Sequence, residues 1–384
     1  MVHKPFRECC QSLVMAVMKV YLRRGHHSVY DDLTKHPPKG IGYVTPRFVS
    51  ASGSKVMDSL KKRAFSAYLH ALRKPHAIYV NSGNADLIHA CSGIMIKNHR
   101  PWIIDTEHVA SFAGFEAGRL EKVRPAVEKL LSSEYCRKIM PWSEAGRMSI
   151  MNGLNAAGFD DKIEVVYPAI EPIKIKREKH DKLSLLFISM RFFTKGGKEL
   201  LEAYGRLQKK YDIELTVISS VPEELRQRYS SVRFLEPNVP RTEILANFFP
   251  RTDIFVLPSY MDTFGMVFLE AMASRVPVVA ANTFAIPEIL GKSGICVDAS
   301  KFSWYGQDGL FAWKSWKEFE RYCEKESKPE VVDGLEKNIS KLIEDPALRR
   351  RMGASGRREV EKGRFSLDRR NSQLKRIYEE AARH

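Results

Sequence analysis

The sequence predicts an α/β chain of two Rossmann-like domains, and three observations carry that prediction. Its 384 residues, 44% of them hydrophobic, exceed what one compact domain uses and suffice for two cores. From about residue 183, short apolar runs alternate with helical patterns, the rhythm of a parallel sheet wound with helices. A similar rhythm fills the first half, and the charged, core-poor stretch from Pro172 to Lys182 separates the two as a linker does. The expected domains are 1–172, 173–365 with an insertion at 302–334, and a closing segment 366–384.

The elements follow in order. Leu13 to Leu22 is apolar but lacks a small-residue cleavage site and is too short to span a bilayer, so it reads as an amphipathic or buried helix. AIYV at 77–80, WIID at 102–105, KIMP at 138–141 and EVVYP at 164–168 read as strands, with a helix from Ala85 through Ile96. In the second half LSLLFIS, IELTVIS, VRFL, DIFVLPS and Val278 to Ala281 read as strands buried on both faces. The intervening KELLEAYGRLQKKY, PEELRQRY, TEILANFFP and EAMAS read as helices. The insertion carries a helix around Lys314 to Lys325, and its Trp304, Trp313 and Trp316 are expected to pack on their own domain rather than form a stacking surface. Helices at 336–343, 347–362 and Leu367 to Ala382 close the chain.

Composition narrows the function classes. The six cysteines, a Cys9-Cys10 pair and four singles, show neither zinc-type CxxC spacing nor a disulfide framework, and read as reduced thiols of a cytosolic protein. The net charge is +16, and residues 1–100 carry 16 Lys plus Arg against 5 Asp plus Glu. Such a basic region favours anionic partners: phosphorylated ligands, an anionic membrane surface or nucleic acid. Aromatic and basic residues do not interleave in an RNA-binding motif, so nucleic acid is not expected.

The chemistry concentrates between Pro258 and Glu288. Leu257 ends a strand, Pro258-Ser259 turns the chain, and Thr263 is placed to cap the helix carrying Met266 to Ala273. Asp262 then lies in the loop and Glu270 on the helix. The backbone N–H groups of Phe264, Gly265, Met266 and Val267 are left free where the helix dipole attracts anions, a place for a diphosphate. Upstream, Arg191 and Lys195 follow one strand and precede a helix, with Gly196-Gly197 beside them. Two cations converging there would neutralise a leaving diphosphate.

PSYMDTFGMVFLEAMAS resembles the acidic-pair segment of the family-four retaining glycosyltransferases, glycosyl transferases group 1, whose fold is GT-B: two Rossmann-like domains with parallel sheets facing across a cleft. Asp262 stands at the first acid and Glu270 at the second. The resemblance implies that Glu270 binds the nucleotide ribose while Asp262 and the Phe264 to Val267 backbone hold the donor sugar and phosphates. FISMRFFTKGGKELLEAY resembles the family's strand, cation and glycine element, which places Arg191 and Lys195 at the diphosphate. IIDTEHVASF resembles its strand-T-x-H segment, which puts His108 near donor sugar and acceptor, whereas His89 in NADLIHACSGIM reads as structural. DPALRRRMGASGRREVEKGRFSLDRRNSQLKRIY resembles the family's closing helices, the last of which returns to the first domain. Three departures stand out: Asp262 for the usual Glu, Arg275 for a helix-ending glycine, and Phe284-Ala285 for a Gly-Gly pair. The Gly-rich loop after the family's first strand is not recognisable, and PPKGIGYVTP is read in its place.

The reading is therefore a cytoplasmic glycosyltransferase of hexosyltransferase type. It takes a nucleoside diphosphate sugar as donor substrate and a glycan or lipid-linked hydroxyl as acceptor, with peripheral contact to an anionic membrane. Without a DxD-like pair, no metal and no other cofactor are expected. The rivals are a nucleotide-sugar epimerase or sugar phosphorylase on the same architecture, and a degenerate, non-catalytic binder of sugar or nucleic acid.

Overall fold

In the computed structural model the described residues are 17–23, 27–45, 74–116, 118–173, 177–178 and 180–383. Strands β1 (Met18–Arg23), β2 (Ile41–Val44), β4 (Leu87–Ala90), β6 (Trp102–Thr106) and β7 (Cys136–Pro141) form the first sheet in the order β2-β1-β4-β6-β7. Every pairing in it is parallel. Two short strands, β3 (Ala77–Ile78) and β5 (Met95–Ile96), pair separately.

The second sheet holds β8 (Leu183–Ile188), β9 (Ile213–Ile218), β10 (Arg233–Leu235), β11 (Ile254–Leu257), β12 (Val278–Ala281) and β13 (Gly294–Val297). It is also wholly parallel, in the order β10-β9-β8-β11-β12-β13. Counted within the sheet, that is 3-2-1-4-5-6, the doubly wound order whose winding reverses between its first and fourth strands, here β8 and β11. Ligands of such sheets bind at the carboxyl ends of the two strands flanking the reversal, because the loops there diverge to opposite faces. Arg191 and Lys195 follow β8, and Asp262 follows β11.

Helices cover the faces through ordinary amphipathic stripes. Gly197–Leu207 buries Leu200, Leu201, Ala203, Tyr204 and Leu207, and Pro329–Glu344 buries Val331, Val332, Leu335, Ile339 and Leu342. Met266–Ala273 is apolar on nearly every side and is buried accordingly. The insertion is fastened by Lys328, whose fully buried ammonium lies 3.0 Å from Glu199 and faces the rings of Tyr260, Phe302 and Tyr322.

The closing helix Leu367–Ala382 lies on the first domain. The Tyr378 hydroxyl meets Nδ1 of His89 at 2.8 Å and the Tyr43 hydroxyl at 2.9 Å, while His89 Nε2 lies 3.0 Å from Asp105. Asp105 Oδ1 accepts from the Tyr30 hydroxyl and from the Ser92 N–H. Arg370 donates to the carbonyls of His36 and Ala169. The side-chain atoms of His89, Cys91 and Asp105 lie within 4.8 Å of one another. Both His89 nitrogens and both Asp105 oxygens are already engaged in this network, so the cluster reads as a polar clasp within the core, in keeping with the structural reading of His89.

Several sequence expectations need correction. Ala85 to Ile96 is not a helix but β4, a tight turn and β5, because Ser92 and Gly93 adopt left-handed backbone (φ 54° and 70°) and break any helical register. The described part of Leu13 to Leu22 belongs to β1 rather than to a helix; its earlier residues lie outside the described set. EVVYP forms no strand of its own, although the N–H groups of Glu164 and Val166 donate to Ile139 and Pro141 of β7. PPKGIGYVTP is not the loop after the first strand: Gly40 turns the chain into β2, and the segment joining β1 to the Val29–Lys35 helix is 24–28.

Candidate active site

The carboxyl ends of both sheets face one cleft. Glu107 and His108 follow β6 of the first domain, and Arg191, Lys195 and Asp262 follow the central strands of the second. Arg191, Lys195, Asp262 and Glu107 line a single pocket of about 530 Å³, walled on one side by Trp304, Tyr305, Phe311 and Trp316 of the insertion. The sequence separates Glu107 from Asp262 by 155 residues; the switch point of the second sheet and the β6 terminus of the first bring them together.

Lys195 Nζ lies 2.8 Å from Asp262 Oδ2 and also donates to the Met261 carbonyl at 2.5 Å. The cation and the first acid of the motif thus form one half-buried pair at the mouth of the Met266–Ala273 helix. Arg191 is exposed and its guanidinium carbon lies over Trp316, 4.2 Å from the ring centroid, a cation–π contact that positions the guanidinium at the pocket. Trp304, Trp313 and Trp316 all pack with Phe319, as expected of the insertion, and Trp304 and Trp316 also line the pocket.

The helix start differs from expectation in its cap. Gly265, with φ 78°, occupies the N-cap position and provides no side-chain bond, while the Thr263 hydroxyl donates to Glu107 Oε2 across the cleft. Left-handed backbone favours glycine there, and a Cβ would stand 2.6 Å from the Phe268 ring. The amides of Phe264, Gly265, Met266 and Val267 donate to no side chain or loop carbonyl among the described residues. The Phe264 ring is buried between Trp142 and Phe365, so only its backbone is available to a ligand.

Glu270 sits one turn into the same helix, 7% exposed. Its Oε1 accepts from Arg241 Nε at 2.5 Å, and Arg241 Nη1 lies 3.5 Å from Asp32 of the first domain. Burial pushes the Glu270 carboxyl up and the guanidinium draws it back down. The second acid of the motif is thus held by a cation that also spans the cleft.

His108 is placed differently from the pocket groups. Its Nδ1 accepts from the Ala110 N–H at 3.0 Å, so Nε2 carries the proton and donates to the Gly309 carbonyl at 2.7 Å. The ring stacks on Phe311 at 4.7 Å and is flanked by Phe284 and Tyr305. Burial pushes its pKa down to about 4, which keeps the imidazole neutral.

Two functional candidates carried no motif. Glu107 faces the pocket, and burial, opposed by the Thr263 hydrogen bond, lifts its carboxyl to about 7. Arg241 follows Pro240 in a short helical segment with nothing in its sequence to mark it. Only tertiary placement reveals either. A further contact closes the cleft: Glu288 accepts from the N–H groups of Glu144 (2.8 Å) and Ala145 (3.1 Å), at the start of the Glu144–Gly153 helix of the first domain.

Residues 182–304 match the family described as glycosyl transferases group 1. A D-inositol 3-phosphate glycosyltransferase of Corynebacterium kroppenstedtii is 36% identical over 132 residues, 30% of this chain and 29% of that protein. The capsular polysaccharide biosynthesis glycosyltransferase CapM of Staphylococcus aureus is 29% identical over 175 residues, 44% of this chain and 38% of that one. The chain thus spans about a third of the length of these curated relatives. Among solved structures, Anabaena Alr3699/HepE in complex with UDP and glucose superposes with a TM-score of 0.59 at 13% identity, covering 94% of this chain and 99% of that one. That likeness is one of fold, and the fold is GT-B.

Proposed function

Taking residues 182–304 as a glycosyl transferases group 1 segment set in a GT-B fold, we propose that the chain moves a hexosyl group from a nucleoside diphosphate sugar to a hydroxyl acceptor, with retention of configuration. The observation that carries this reading is the convergence of Arg191, Lys195 and Asp262 in one cleft pocket, whose lining ends at Thr263, next in the chain to the open amides that begin the Met266–Ala273 helix. Departure of a nucleoside diphosphate builds negative charge on its phosphates, and these groups supply fixed positive potential where that charge develops.

In this reading Glu270 exchanges its Arg241 partner for the ribose hydroxyls, and the freed guanidinium stays near the phosphates or turns to Asp32. Asp262 orients the sugar and, through its pairing, the Lys195 ammonium. The leaving phosphate itself takes the acceptor's proton, so no separate base is required. The acceptor side is the first domain, and the names of the relatives above, an inositol phosphate enzyme and a capsular one, support a polyol or glycan hydroxyl as acceptor.

Calorimetry with UDP, GDP and ADP and with their hexose esters, followed by detection of released nucleoside diphosphate, tests the proposal. Glu270→Ala should lower donor affinity at least tenfold and suppress turnover, since it removes a buried charged acceptor for two hydroxyls. Unchanged affinity and turnover in that variant would sink the assignment of Glu270.

A further inference from the structure

Building on the nucleotide-sugar reading, we propose that Glu107, and not His108, is the first domain's contact to the transferred sugar, its carboxyl hydrogen-bonding a hydroxyl of the hexosyl group. His108 has no valence left for a ligand. Both ring nitrogens are engaged within the protein, the ring is stacked on Phe311, and the side chain is 1% exposed. The segment around Gly309 and Phe311 that seals it belongs to this chain's own insertion.

Glu107 is the neighbouring residue and points the other way. It lines the pocket with Asp262, Lys195 and Arg191. Its Oε2 accepts from the hydroxyl of Thr263, the residue that follows Asp262 and precedes the open amides of the helix start. Its Oε1 makes no hydrogen bond among the described residues and is not among the sealed, unpartnered atoms. A hexose is bonded directly to the outer phosphate, so a diphosphate docked on those amides presents its sugar to the same short loop that Glu107 holds.

The electrostatics suit a hydroxyl ligand, which both gives and takes a hydrogen bond. With its pKa lifted to about 7, the carboxyl exists in both protonation states near neutral pH. The charged groups around it are Asp105 on the strand it follows, Asp262 and Lys195 across the cleft, and Arg191, Glu116 and Lys314 on the pocket wall. The Tyr305 hydroxyl is buried nearby. Asp105 and Asp262 oppose ionisation of Glu107, and a bound sugar hydroxyl replaces the water that would otherwise solvate Oε1.

The test uses the full chain and its Glu107→Gln and Glu107→Asp variants, titrated calorimetrically between pH 6 and pH 8 with UDP, GDP and ADP and with UDP-glucose, GDP-mannose and ADP-glucose. Both variants should hold the nucleoside diphosphate within twofold of wild type. Glu107→Gln should bind the nucleotide sugar about tenfold more weakly, the scale of one hydrogen bond to a charged group. It should also lose the wild type's pH dependence of sugar binding. Wild-type affinity and pH profile in Glu107→Gln would overturn this assignment while leaving the nucleotide-sugar reading intact. Equal loss of nucleotide and nucleotide sugar in both variants would assign Glu107 to the shape of the site and would also overturn it. No binding of any of the six compounds to wild type would overturn the nucleotide-sugar reading, and this assignment with it.

Discussion

Glu107 and Glu270 are both carboxyls that burial pushes toward neutrality, but only Glu270 has a guanidinium against it, and the difference shows in stability as well as in chemistry. The unfolded chain ionises Glu107 near its ordinary value of 4.5, the folded chain near 7. Between those values the unfolded state holds fewer protons, so Glu107 makes the fold less stable as pH rises through that window, and the penalty is complete above 7. Glu107→Gln should therefore be more stable than wild type at pH 8, by up to about 3 kcal/mol, and indistinguishable at pH 4. Urea midpoints at the two pH values measure it; the same difference at both would refute the electrostatic account. Of the three glycine replacements noted in the sequence, Arg275 at φ 59° and Phe284 at φ 45° fall on left-handed backbone, whereas Ala285 at φ −81° does not. At Phe284 the strain is offset by its ring stacking on Tyr305 at 4.4 Å and meeting His108, so the residue that departs from the family pattern is one that helps seal the histidine. Asp262, Glu270, Arg191 and Lys195 could be singled out as candidates because they follow strand ends or start a helix and because their segments resemble those of a known family. Glu107 and Arg241 were not, since a lone Glu or Arg near a strand or proline carries no pattern until the domains are placed face to face.

At the scale of elements, the second domain was readable because its strands are buried on both faces and so appear as unbroken apolar runs bounded by charged helices. The first domain yielded less. Leu87, Ile88, Cys91 and Met95 recur at helical intervals, yet all are buried in strands and a turn, and periodicity alone does not separate a short buried strand from a helix segment. The closing helix also tests the clasp it completes. Tyr378→Phe removes the hydroxyl that meets both His89 and Tyr43 and leaves buried polar atoms without a partner. The expected cost is about 1–3 kcal/mol. It should appear as an earlier urea transition for near-ultraviolet signals of the first domain, with the second domain's transition unmoved. A shift confined to the second domain would contradict this placement of the helix.

For the whole molecule, charge and topology set the outward behaviour. Of the sixteen Lys and Arg in residues 1–100, nine fall within 1–16, 24–26 and 46–73, stretches outside the described residues. Among the described residues no helix is long and apolar enough to cross a membrane. From the excess of basic residues we propose contact with an anionic membrane surface by charge. Sedimentation with phosphatidylserine vesicles should show binding at 50 mM salt that is lost by 500 mM, since screening shortens the reach of such attraction to a few ångströms. Equal non-binding to anionic and neutral vesicles at low salt would dismiss it. The clasp between His89 and Tyr378 has a consequence of another kind, in time rather than space. Its two halves are 289 residues apart. At 5–20 residues per second, a ribosome emits the second on the order of 15–60 s after the first. Throughout that interval the first sheet waits with His89 and Asp105 uncovered, so this domain is finished by a segment synthesised long after its strands. A message cut short before residue 367 would release a nascent chain whose first sheet had never been closed by the Leu367–Ala382 helix.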